Sequence, residues 1–388
     1  MSVRGSAGAR PERRPVRPVL RRRVDPPTPA QADLALLRRL KDARRDVQQA
    51  AADLGAARGE DPDRYYAFIA ELGPDELSHP DVNHLARRQE LVAADSFWRK
   101  VVERRRKKQL GTLPEKYLGL TKSGDLDFVN RLGLPTARVS YDGPYDGLRD
   151  HVRPGSVVKP HGAAGANGAF YVFDLDHIVS IATSERLGSV EEMLAVATVQ
   201  LERWGGPATD QWQVQDLVLG RDGLPARDLK FFCFYGRIGL IMEIARYPEV
   251  GYAYFSGATL RPVRGGNPGR PRISPALGTL TDSGGVSEEM FERVRTLSRQ
   301  IPAPFVRIDF HAGADELVFC EFSAGPGRAD LMPKGFDASL GRLYHRAEIE
   351  LFNDVLAGKD FPHWQAFHTD QLEVRRLAAE QAEQAGTR

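Results

Sequence analysis

Phe305-Val306-Arg307-Ile308-Asp309-Phe310, followed by Leu317-Val318-Phe319-Cys320-Glu321-Phe322-Ser323, decides the reading of this chain. Each half alternates apolar and polar residues with period 2, so each reads as a half-buried strand. His311 to Glu316 joins them and contains Gly313 and Asp315, residues that suit a hairpin connection. Pairing the halves buries Val306, Ile308, Cys320 and Phe322 on one side. Arg307, Asp309, Glu321 and Ser323 then share the other. Two carboxylates, a hydroxyl and an arginine suit a magnesium-phosphate group better than a transition metal. The same alternation also describes a solvated strand face with one surface ion pair, and the hairpin alone does not separate the two.

The surrounding chain has 388 residues, enough for two or three domains, and 41% of them are hydrophobic, enough for a sizeable core. No apolar run reaches the roughly 20 residues of a membrane span. Arginines near the N-terminus are followed by no apolar stretch, which argues against a secretory signal and for a cytoplasmic protein. The two cysteines, Cys233 and Cys320, sit in apolar runs at no metal-binding spacing and read as small core residues. The net charge is only +2, but Arg13 to Arg23 and Arg104 to Lys108 form basic runs. Without a nucleic-acid module around them, these read as a tail and a solvated helix face, and no nucleic-acid partner is expected.

Residues 1–30 are rich in Pro, Arg, Gly and Ala and are expected to be disordered. Residues 31–112 form a helical appendage suited to docking or oligomerisation. In it Leu34, Leu37, Leu40, Val47 and Leu54 approach heptad spacing. Tyr65, Phe68, Ile69, Leu72, Phe97 and Val101 supply the inner faces of a small bundle. Residues 113–361 form the chemical domain and 362–388 a tail. Within the domain, Val157-Val158-Lys159-Pro160 reads as a buried strand, Phe170 to Phe173 as its return, and Gly162 to Gly168 between them as a Gly/Ala-rich loop. Such a loop can lay backbone N–H groups over a polyphosphate, although it is neither a Walker loop nor a dinucleotide fingerprint. A helix is expected from Ser189 to Trp204 and a strand over Trp212 to Val218. Two more strands run over Arg227 to Tyr235 and Ile238 to Glu243. Lys230 shares a strand face with Asp228, Phe232 and Phe234, where a lysine is costly without an anionic partner. Ser256 to Gly285, with Arg261, Arg264, Arg270 and Arg272, reads as a long loop suited to closing over an anion. Helices are expected over Ser287 to Gln300 and Ala338 to Leu356, with a frayed one after Gln371.

Taken in order, Val157-Val158-Lys159-Pro160-His161-Gly162, then Asp228-Leu229-Lys230-Phe231-Phe232-Cys233-Phe234-Tyr235-Gly236, then Val306-Arg307-Ile308-Asp309, then Glu321-Phe322-Ser323-Ala324-Gly325-Pro326-Gly327 resemble the ATP-grasp superfamily of carboxylate-amine ligases. The closer resemblance is to the branch named for the teichuronopeptide protein TupA, and Asp337-Ala338-Ser339-Leu340-Gly341 also fits it. The likeness covers about Lys116 to Phe361. It implies an α/β (α+β) ATP-grasp fold, two α/β lobes holding ATP between antiparallel sheets, preceded here by the helical region.

The resemblance further implies that Lys159 binds phosphates under the loop containing Gly162, Gly165 and Gly168. Lys122 matches loosely a lysine that precedes it. Gln215, Asp216, Leu217 and Val218 would form the hinge at adenine. Asp228 and Lys230 would line the nucleotide site, with Lys230 facing phosphate. Arg307 would steady the transferring phosphoryl group, and Asp309, Glu321 and Ser323 would hold Mg²⁺. Two departures stand out: Gln215-Asp216 replaces the usual acidic pair, and Ser323 stands where the superfamily usually has Asn. The implied activity is amide formation between a carboxylate and an amine through an acyl phosphate, in cell-surface polymer or peptide natural-product assembly. A kinase acting on a small-molecule or sugar hydroxyl, and a catalytically silent ATP-binding adaptor, are the alternatives.

Overall fold

The computed structural model describes residues 29–88, 91, 94–111, 122–161, 166–204, 211–264, 286–327 and 332–386. The expected disordered tail, apart from its last two residues, therefore lies outside the described residues. The chain divides into two compact units, Met1–Leu91 and Val92–Arg388. No helix among the described residues is long and apolar enough to cross a membrane.

The first unit contains α1 (Pro29–Ala56), α2 (Pro62–Ala70) and α3 (His79–Arg87). Local chemistry sets the two shorter helices. Asp61 accepts the Arg64 amide at 3.1 Å and Pro62 opens α2, while Ser78 and Asp81 close a capping box on α3. Asp81 also accepts the Tyr65 hydroxyl at 2.6 Å, tying α3 to α2. Ala51, Tyr65, Ile69, Leu72 and Leu85 form the core, with Val47 and Leu54 packed on it. Only the second half of the leucine stripe on α1 is used there; Leu34, Leu37 and Leu40 are exposed.

The second unit begins with α4 (Phe97–Leu110) and α5 (Lys122–Arg131), followed by β1 (Val139–Gly143), α6 (Tyr145–Leu148), β2 (Ser156–Pro160), β3 (Phe170–Asp174), β4 (His177–Ser180) and β5 (Arg186–Leu187). Then come α7 (Val190–Trp204), β6 (Trp212–Asp216), β7 (Asp228–Phe234), β8 (Arg237–Ala245) and β9 (Gly251–Ser256). The last elements are α8 (Glu288–Arg299), β10 (Val306–Ala312), β11 (Leu317–Ser323), α9 (Asp337–Leu356) and α10 (Pro362–Gly386). Two antiparallel sheets result. One runs β1-β6-β2-β3-β4-β5 and the other β11-β10-β7-β8-β9.

Period-2 geometry gives each sheet two different faces. On the six-stranded sheet Val158, Phe170, Val172 and Ile178 pack with Met193 and Ala197 of α7. The opposite face carries Val157, Tyr171 and Val179, and it meets Tyr247, which follows β8. On the five-stranded sheet Phe231 packs edge-on to Phe291 of α8 and to Phe310. Its edge strand β11 is covered by α5, whose Asp125 accepts the Phe322 amide at 3.5 Å.

Two segments pack differently from the expected domain scheme. Phe97 of α4 lies 5.6 Å from Phe234 and 5.1 Å from Phe305, ring centre to ring centre, and Val101 joins the same core. The helix assigned to the appendage thus completes the second unit's core. At the other end α10 is docked, with Trp364 and Phe367 at 6.0 and 5.3 Å from Phe128. The Ser256 to Gly285 loop starts as a turn back along β9, with the Val263 amide donating to Tyr254 O at 2.7 Å. Residues 265–285 of it, including Arg270 and Arg272, lie outside the described residues.

Candidate active site

β10 places Arg307, Asp309 and His311 on one face, and the register sets them directly opposite Phe232, Lys230 and Asp228 of β7. On the other flank Arg307 faces Ser323 and Asp309 faces Glu321. Directly opposite antiparallel partners share a face, so one patch gathers the lysine, the arginine and both carboxylates that the sequence nominates. Asp309, 1% exposed, takes Arg307 Nε on Oδ1 at 2.7 Å and Arg307 Nη2 on Oδ2 at 2.8 Å. Lys230 Nζ donates to Oδ2 as well. Burial alone pushes the Asp309 carboxyl up, but Lys230 and Arg307 outweigh it and hold the group below the ordinary range. The same pairing raises Lys230 against the opposing effect of burial. Arg307 Nη2 also reaches Glu321 Oε1 at 3.6 Å. Ser323 Oγ donates to the Gly325 carbonyl at 2.9 Å, pinning the turn after β11. Gly327 in that turn has φ +75°, and a Cβ there would lie 2.9 Å from Arg307 Nη1.

A second buried network adjoins the first. Asp228 accepts Arg246 Nε at 2.6 Å and lies 3.2 Å from His311 Nδ1. Burial raises its carboxyl, but Arg246, His311 and Lys230 together hold it far below the usual range. His311 also bonds Cys320. Burial disfavours its charged form, yet Cys320 and Asp228 lift the imidazole to about 10. Here the expectation for Cys320 is corrected. A bulge between Asp309 and Phe310 leaves Phe310 opposite Phe319, so Cys320 is the extra residue and does not join the packing of Ile308 and Phe322. It is half-buried beside His311, whose charge, with that of Lys159, lowers the thiol against the effect of burial. Cys233 does sit in the core, where burial raises its thiol.

The six-stranded sheet supplies the other wall. Lys159 on β2 is partnered in register by Gln213 and reaches close enough to act on Cys320 across the cleft. Gly168 has φ +69°, and a Cβ there would lie 3.3 Å from Pro160 Cγ. Gly162 and Gly165 lie outside the described residues, as does the side chain of Lys122, whose backbone opens α5. Gln215 is buried in β6 between Val139 and Val157. Asp216 pairs with Arg153. The Leu217 amide donates to Gly155 O and the Val218 carbonyl accepts from Ala226 N, each at 2.9 Å. The Leu217 carbonyl and the Val218 amide have no backbone partner of this kind among the described residues.

The TupA-like ATPgrasp family matches residues 135–345, more than half of the chain. The chain belongs to the TupA-like ATP-grasp family. No curated protein matches the sequence significantly. Among solved structures, the ATP-grasp ligase PsnB complexed with a minimal precursor is 13% identical, with a TM-score of 0.32 over 59% of this chain and 60% of that one. D-Alanine-D-alanine ligase from Helicobacter pylori is 14% identical, with a TM-score of 0.33 over 59% and 58%. The Bacillus anthracis D-alanine-D-alanine ligase complexed with ATP is 14% identical, with a TM-score of 0.34 over 63% and 68%. The chain spans about three-fifths of the length of PsnB and of the Helicobacter pylori ligase.

The five-stranded sheet thus brings Lys230, Arg307, Asp309, Glu321 and Ser323 to one face, with Lys159 of the other sheet near enough to influence Cys320. Magnesium is commonly held by one or two carboxylates, with phosphate oxygens and water completing its shell. Asp309 and Glu321, directly opposite in register, match that requirement. Among the described residues no group of three or more His, Cys, Asp and Glu side chains could hold a metal by itself.

His311, Cys320 and Arg246 were not among the nominated site residues. His311 continues the alternation of Arg307 and Asp309, so the period-2 signal contained it. Arg246 carries no local signal, and Cys320 was concealed by the bulge.

Proposed function

We propose that this ATP-grasp protein is an ATP- and Mg²⁺-dependent carboxylate-amine ligase. The observation that carries the reading is the cross-strand register, which sets Lys230 against Asp309 and Arg307 beside both carboxylates. In the proposed reaction a substrate carboxylate oxygen attacks the γ-phosphorus of ATP, and ADP leaves. The amine nitrogen then attacks the acyl-phosphate carbon, inorganic phosphate leaves, and the amine loses a proton. Bound at Asp309 and Glu321, with Ser323 alongside, magnesium would neutralise charge on the phosphates.

The chain's own part is positioning and electrostatics. Lys159 and Lys230 would hold phosphate oxygens beneath Gly162 to Gly168. Arg307 would follow the phosphoryl group as it moves, and the Leu217 carbonyl and Val218 amide would meet adenine. Asp228, engaged by Arg246 and His311, would orient the floor of the site. Lys122 would be a further lysine for the nucleotide. The substrates would be carboxylates and amines of cell-surface polymer or peptide natural-product assembly.

The test is ADP release by the full chain across panels of carboxylates and amines, with Asp309→Asn and Glu321→Gln in parallel. Release that requires both substrates and falls at least 100-fold in each variant is expected. Undiminished turnover in both variants would overturn the site assignment, and a phosphorylated product formed without amine would make the protein a kinase.

A further inference from the structure

A cavity of about 420 Å³ opens where β8 begins and β9 ends, under the first turns of α9. Four guanidiniums line it, from Arg237, Arg295, Arg342 and Arg346, together with the hydroxyl residues Ser256 and Ser339, and no carboxylate is part of its lining. Three of the arginines are anchored from outside. Arg237 Nη1 holds Glu350 at 2.5 Å, Arg295 Nη1 holds Glu288 at 3.0 Å, and Arg342 Nη1 reaches Asp95 at 3.4 Å. Arg346 is exposed and forms no ion pair among the described residues. A guanidinium has five N–H donors in a fixed fork. Glu350 and Asp95 each hold one arginine and Glu288 and Glu292 together hold Arg295, and the guanidinium N–H groups left over can meet an oxyanion, which such forks bind bidentately.

Ser256 at the mouth of the cavity is in register with the catalytic patch. Ser256 is directly opposite Leu240, Leu240 opposite Phe232, Phe232 opposite Arg307, and Arg307 opposite Ser323. That row crosses three inter-strand steps from β9 to β10, roughly 14 Å at about 4.8 Å per step. Leu240 and Phe232, in the middle of that row, are buried in the core, so the row separates the cavity from the patch.

We propose that the arginine-lined cavity is an oxyanion subsite, separate from the nucleotide site, which takes a carboxylate or phosphate group. The binding does not depend on the ligase reading above.

The test uses the full chain saturated with Mg²⁺ and a non-hydrolysable ATP analogue, so that the nucleotide site is filled. Binding of fluorescein-labelled tetraglutamate is followed by anisotropy, with tetraglutamine as the uncharged control. The Arg342→Ser/Arg346→Ser double variant alters two exposed positions on one helix, and Arg346→Glu serves as a second variant. At least a tenfold loss of tetraglutamate affinity in both is expected, with unchanged affinity for the nucleotide analogue. Displacement by inorganic phosphate at lower concentration than by unlabelled tetraglutamate would identify phosphate as the preferred group, and the reverse would identify carboxylate. Equal affinity in wild type and variants, or no binding of either anion, would overturn the subsite. If the binding loss is seen but no substrate pair releases ADP, the subsite stands and the ligase reading falls.

Discussion

Asp309 shows how one residue can serve structure and chemistry at once. Its carboxylate is buried under Arg307 and Lys230, and removing one partner of a buried pair strands the others. Asp309→Asn should therefore cost about 3–5 kcal/mol of stability as well as activity. Glu321, 39% exposed, has only a 3.6 Å contact with Arg307, so Glu321→Gln should abolish turnover while shifting stability by less than about 0.5 kcal/mol. Urea melts of both variants check the contrast; equal losses would contradict it. His311 makes a pH prediction. Its imidazole lies at about 10 in the fold against an ordinary 6.5, with burial opposed by Cys320 and Asp228. A raised folded value means that the stabilisation is complete below pH 6.5 and is lost as pH rises through about 10. The melting-temperature gap between wild type and His311→Gln should accordingly narrow from pH 6 to pH 10.5. Asp309 was legible because its neighbours alternate; its second cation, Lys230, lies 79 positions away and was legible only as a lysine without an evident partner.

At the scale of elements, the join between α9 and the residues just before α4 leaves no room for a side chain. A Cβ on Gly341 would lie 2.6 Å from Ser96 N and 2.7 Å from Asp95 C, and backbone there cannot yield as a side chain would. Gly341→Ala should destabilise the protein by about 1–3 kcal/mol, the usual range for overpacking. Gly335→Ala, where an added methyl meets nothing within 4 Å, should be nearly neutral, and thermal melts of the pair test the point. The motif Asp337 to Gly341 was visible in the sequence, but its packing partner was not. The strands β1, β4, β5 and β9 also went unread. β4 and β5 are only four and two residues long, and β4 is buried on both faces, which erases alternation.

For the whole molecule, the division at Leu91 sets where the chain can be cut. The first unit has its own core, whereas Phe97 and Val101 belong to the core of the second. Deleting residues 1–91 should leave a cooperative melt and at least partial ATP-dependent turnover. Deleting residues 1–111 also removes Phe97, a loss of about 3–5 kcal/mol for a buried phenylalanine, and should give a protein that does not melt cooperatively. Two equally stable truncations would show that α4 is dispensable. A catalytically silent adaptor would show no turnover in either.

What the sequence determined by itself was local. Period-2 alternation settled which side chains share a strand face, because neighbouring residues on a strand must point to opposite sides. The order of short motifs then identified the family. What only the tertiary structure decided was which faces meet. A single bulge moved Cys320 from the core to the cleft, Arg246 closed a buried network with Asp228, and α4 and α10 proved to be parts of a core. Each depends on strand register or on contact between distant segments, and no neighbouring residue records either one.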